Sequence, residues 1–68
     1  MARGSAVTYL LGQRRAWFAK ISAAQSGNVE MESRQIELIE RLILDVRAGR
    51  VRTFELTQPK PVAIFVTN

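Results

Sequence analysis

The chain contains no cysteine and no histidine among its 68 residues. Disulfides, thiolate and ordinary structural zinc sites, Ser-His-Asp triads and Cys–His dyads are therefore excluded. Its four glycines occur singly, so no glycine-rich loop can cradle a phosphate. Ser5, Ser22, Ser26 and Ser33 have neither a glycine elbow nor a base beside them. The acids are spaced mostly for salt bridges along one helix, not for convergence in a cleft. The expectation is a protein that is not an enzyme and holds no cofactor or metal. No segment approaches the roughly 20 apolar residues of a membrane span. The opening stretch MARGSAVTYLLGQ has an apolar run too short for a signal peptide, and Arg14 and Arg15 follow it at once. The expected compartment is the cytoplasm, or a host cytoplasm or virion if the chain is viral.

Acid is also missing from the first 28 residues, which carry Arg3, Arg14, Arg15 and Lys20. Residues 29–46 reverse this, with Glu30, Glu32, Glu37, Glu40 and Asp45 against Arg34 and Arg41. Residues 47–68 return to Arg47, Arg50, Arg52 and Lys60 against Glu55, so two basic ends flank an acidic middle within a net charge of +4. Such a distribution suits nucleic acid, an acidic protein, or complementary charge within a head-to-tail assembly. Hydrophobic content is 47%, too high for a disordered chain of this charge. Below roughly 70–80 residues one core seldom supplies more than about 3–5 kcal/mol, so small chains need a staple. Without disulfides or zinc, the staples left are very good packing and oligomerisation.

The periodicity predicts a first helix over about 5–25, with Val7, Leu10, Leu11, Trp17, Phe18 and Ile21 on one side. Gly12, Ala16, Ala19 and Ala23 form a smooth strip opposite, expected to face water. Arg14 projects from the bulky stripe. Unpaired burial of a guanidinium is costly, so it must reach solvent, stack on Trp17 or meet an acid, and reaching solvent is the favoured expectation. Ser26-Gly27-Asn28 breaks the pattern, with Gly27 suited to a left-handed helix end and Asn28 to an N-cap. So short a link makes the helices an antiparallel hairpin.

A second helix is expected over about 29–48. Met31, Ile36, Leu38, Ile39, Leu42, Ile43 and Val46 spread over roughly 160°, wider than an ordinary surface helix needs, and Leu44 lies outside even that arc. Glu30–Arg34 and Glu37–Arg41 are favourable i,i+4 pairs. Gly49 stops the helix, with Arg47 and Arg50 near its negative end. Strands are expected over about 51–57 and 62–67, joined by a turn fixed by Pro59 and Pro61. The second strand, VAIFV, is apolar on both faces and hazardous as a bare edge. It needs either the first helix over one face or another chain beside it.

The expected fold is α+β: an antiparallel two-helix hairpin followed by a C-terminal β-hairpin in a single domain, completed by oligomerisation. The expected core is Leu10, Trp17, Phe18, Ile21, Ile36, Ile39, Leu42, Ile43, Val46, Phe54, Ile64 and Phe65. The favoured function is an interaction or structural protein that binds itself as a homo-oligomer or docks on a larger protein. Its contacts are expected from Met31, Leu38, Leu42 and Leu44, and from Val62, Ile64 and Val66 of the last strand. The alternative is nucleic-acid binding through Arg47, Arg50, Arg52 and Lys60. The order helix, Ala48-Gly49-Arg50, strand, hairpin is similar, over the last third of the chain, to the end of small Cro-type phage repressors. The helix-turn-helix of those proteins is missing, because the second helix is too long and uninterrupted, so membership is not inferred. A membrane surface reached through YLLGQRRAWFAKI is the least favoured partner. Size and layout suit a virus- or prophage-encoded adaptor or inhibitor, an analogy of class only.

Overall fold

In a computed structural model of the chain, residues 1–24, 27–57 and 60–67 are described. Helices α1 (Arg3–Ala23) and α2 (Glu30–Arg47) precede strands β1 (Thr53–Leu56) and β2 (Val62–Phe65). The α+β order expected from the sequence is the one the chain adopts. Helix α1 starts and ends about two residues earlier than expected. The Ala6 N–H already donates to the Ala2 carbonyl at 2.9 Å, and Ala24 turns extended at φ −67°, ψ 130°. Both strands are shorter than expected; β1 starts two residues later because residues 48–52 are spent on leaving the helix, and β2 ends at Phe65.

The two helix ends depart from expectation in one case and follow it in the other. Gly27 does not take the left-handed conformation, which among the described residues belongs to Gly49 alone, at φ 74°. The α2 N-cap falls on Val29 rather than Asn28. Val29 supplies the first carbonyl, to the Ser33 N–H at 2.9 Å, while Asn28 only reaches the Glu30 N–H with its side-chain oxygen at 3.4 Å. At the far end of α2, the Gly49 N–H donates to the Val46 carbonyl at 3.1 Å and the Arg50 N–H to the Asp45 carbonyl at 2.9 Å. These are the two bonds of a Schellman motif. Ser26 and Pro59, which the sequence reading placed in the two links, lie outside the described residues.

The core joins Ala6, Val7, Leu10 and Trp17 of α1 to Ile36, Ile39, Ile43 and Val46 of α2, with Phe54 and Leu56 of β1 against them. Ile21, Leu42 and Ile64 pack on it half-buried, as does Val66. Two expected members are outside: Phe18 and Phe65 are 45% and 68% exposed. Phe18 misses because the buried stripe of α1 centres on Leu10 and turns towards Ala6. Leu11 and Phe18, seven residues apart, are left on its flank. Phe65 misses because strand parity decides its face.

The strands are antiparallel, with Phe54 opposite Ile64 and Leu56 opposite Val62. Those four point inward, whereas Thr53, Glu55, Ala63 and Phe65 point outward. The free edge of β2 is partly covered from within the chain. The N-terminal ammonium donates to the Phe65 carbonyl at 2.9 Å, and the Thr67 N–H donates to the Met1 carbonyl at 2.6 Å. Ala2 and Thr67 thus form a parallel bridge.

Candidate interaction surfaces

Three outward surfaces carry large apolar side chains. The first flanks both helices. Leu11 lines one open groove with Arg14, Glu40, Ile43, Leu44 and Arg47, and a second with Arg14, Arg15 and Phe18. The grooves enclose about 290 and 320 Å³. That is the lower limit of the roughly 300–1,000 Å³ of small-molecule sites, and both lie open along the helices rather than closing over a ligand.

Arg14 holds the middle of this surface and does not simply bend to solvent. Its Nε lies 3.3 Å from Glu40 Oε2, an ion pair linking α1 to α2. The contact lacks hydrogen-bond geometry, and Nε is a buried atom with no hydrogen-bond partner among the described residues. The guanidinium carbon also stands 5.5 Å over the Phe18 ring. Trp17, the other candidate for stacking, is buried and takes Lys20 at 4.3 Å instead.

The second surface is the other flank of α2. Met31 and Leu38 are 49% and 43% exposed there, in line with half-buried Gln35 and Leu42. Arg34, Glu37 and Arg41 border Leu38, and Arg34 is paired with Glu30 one turn back. The Oε1 of Gln35 is buried without a hydrogen-bond partner among the described residues. Gln35 escapes a search for apolar spacing because it is polar. Its position, four after Met31 and three before Leu38, is the signal that finds it.

The third surface is the outer face of the hairpin, where Phe65 stands beside Thr53. Val62, Ile64 and Val66, expected at an interface, point the other way and are half-buried, Ile64 and Val66 against the core. Strand β2 therefore offers Ala63 and Phe65 outward. Leu44, at 62% exposure, projects from α2 on the side of Leu11, away from Leu38.

Arg50 folds back on α2, with Nε at 3.1 Å and Nη2 at 3.0 Å from Asp45 Oδ1. Arg47 lines the Leu11 groove. Arg52 stands at the start of β1 and Lys60 beyond its end, more than about 13 Å away at about 3.3 Å per residue. Among the described residues no three carboxylates gather where a metal ion could sit, and no helix is long and apolar enough to cross a membrane. Compared with protein-family models, with curated proteins and with solved structures, the chain matches none.

Proposed function

We propose that this chain is a small non-enzymatic interaction protein that covers its outward apolar side chains by associating with itself, or by docking on a larger protein. The observation that carries this reading is the placement of Leu44, Phe65, Met31, Phe18 and Leu38 on outer surfaces of so short a chain. Scattered single exposed apolar residues need no explanation, but contiguous ones mark contact surfaces. Here Leu11 shares one groove with Leu44 and another with Phe18, and Met31 and Leu38 lie on the same flank of α2.

The amount of surface supports the same reading. The chain exposes 4830 Å² for a mass of 7.7 kDa, whereas a folded monomer of that mass exposes about 4,300 Å².

Sedimentation equilibrium over a range of concentrations, at low and high salt, with and without short duplex DNA, tests the proposal. The expected result is a mass above one chain that ignores the duplex. A monomer at every concentration, taking up DNA in a strongly salt-dependent way, would contradict it and turn attention to Arg47 and Arg52.

A further inference from the structure

We propose that α2 carries a self-complementary seam, Met31, Gln35, Leu38 and Leu42, through which two copies of this chain pack antiparallel. Their two-fold axis passes between the two α2 helices, level with the midpoint of Gln35 and Leu38. This rests on the self-association reading above and deepens it by naming the surface and its occupant, a second copy.

The four residues recur at intervals of four, three and four, the spacing of a helix–helix seam. The seam is separate from the stripe α2 gives to its own core, where Ile36, Ile39, Ile43 and Val46 are buried. Met31 and Leu38 stand exposed on it, while Leu42 is half-buried and packs partly on the core. Gln35 is the second observation. Its buried Oε1 has no hydrogen-bond partner among the described residues, and an unsatisfied buried acceptor is costly. Turned onto the seam by its flexible side chain, the amide can both donate and accept. A polar residue at one core position of a helix pair fixes register and orientation.

Charge selects the occupant and its direction. The first part of α2 holds Glu30, Glu32, Glu37 and Glu40 against Arg34, a net −3. The stretch from residue 41 to 50 holds Arg41, Arg47 and Arg50 against Asp45, a net +2. A parallel pair would set like beside like. About that axis an antiparallel pair sets Arg41 of each copy level with the Glu30 and Glu32 end of the other copy's α2, and it opposes the two helix dipoles favourably. About the stated axis Met31 meets the partner's Leu42 and Gln35 meets the partner's Leu38. The two Gln35 amides then fall in adjacent layers, within reach of each other.

The absence of native cysteine makes disulfide trapping clean. Gln35→Cys and Leu38→Cys proteins are oxidised separately and as an equimolar mixture, after circular dichroism shows that each keeps the helical signal. The mixture is expected to form covalent dimer at least about 10-fold faster than either protein alone, because only the mixed pair stands opposed at bonding distance. Faster trapping within each single variant would mean a parallel pair and overturn the proposal. Absence of trapping while the unmodified chain still sediments as a multimer would overturn the seam and leave self-association standing. An unmodified chain that is monomeric at every concentration would overturn both. Leu38→Glu, which needs no oxidation, is expected to weaken self-association at least about 10-fold with the fold intact. Unchanged association in that variant would also overturn the seam.

Discussion

Gly49 and Arg50 show how much one corner of the chain settles. A left-handed φ of 74° at Gly49 lets two backbone N–H groups close the end of α2. The left-handed region costs an L-residue roughly 1–2 kcal/mol. Space is short as well, because a Cβ at Gly49 would stand 3.2 Å from the Arg3 guanidinium. Gly49→Ala is therefore expected to lower stability by about 1–2 kcal/mol in urea denaturation. Asp45→Asn, which removes the partially exposed pair with Arg50, is expected to cost only about 0.5 kcal/mol. Equal losses in the two variants would contradict this account of the helix end. Gly49 was legible in the sequence because a lone glycine followed by a change from helical to strand periodicity has few other uses. Arg14 was not. Its place on the bulky stripe was visible and pointed to solvent, but helical spacing on α1 says nothing about which acid of α2 stands opposite, and the pairing with Glu40 needed the packed helices.

At the scale of elements, both helices and both strands could be read from periodicity and turn chemistry, with errors of one or two residues at the ends. The errors have a common cause: ends are set by local bonds such as the Val29 carbonyl to Ser33, which composition does not reveal. The α1 stripe was legible as a stripe but misjudged in its centre. Six bulky residues on one side could not all be buried by one partner helix and a two-stranded sheet, so Leu11 and Phe18 were left out. The pairing of Met1 with Phe65 and Thr67 could not be foreseen, since no local pattern joins residues 64 and 66 positions apart. It leads to a prediction. Thr67→Pro removes the N–H that reaches the Met1 carbonyl and is expected to release residues 1 and 2, raising amide exchange at Ala6, whose N–H donates to the Ala2 carbonyl, with little change in α2. Unaltered exchange there would show that this edge bond does not hold the N-terminus. In the core, Leu10 is fully buried. Leu10→Ala is expected to cost about 2–5 kcal/mol, comparable with the whole stability of so small a domain, and circular dichroism should show an unfolded chain at room temperature.

The whole molecule is longer than a compact domain of its length. Its radius of gyration is 12.6 Å, against about 11 Å for a compact chain of this size, and it measures 41 × 20 × 15 Å. Helix α1 alone is about 32 Å long at about 1.5 Å per residue, while strands of four residues are too short to cover both flanks of the helical hairpin. That mismatch leaves the α2 seam and the Leu11 grooves open, and it gives a second copy a surface on which to complete the fold. The excess apolar arc of α2 was visible in the sequence. Its division into Met31 and Leu38 on one flank and Leu44 on the other, with Gln35 between the first two, needed the packed helices. The most direct test is light scattering of the purified chain and its Leu38→Glu variant at equal concentration. The account predicts twice the 7.7 kDa of one chain for the former and a single chain with undiminished helical signal for the latter. The same mass for both would contradict it.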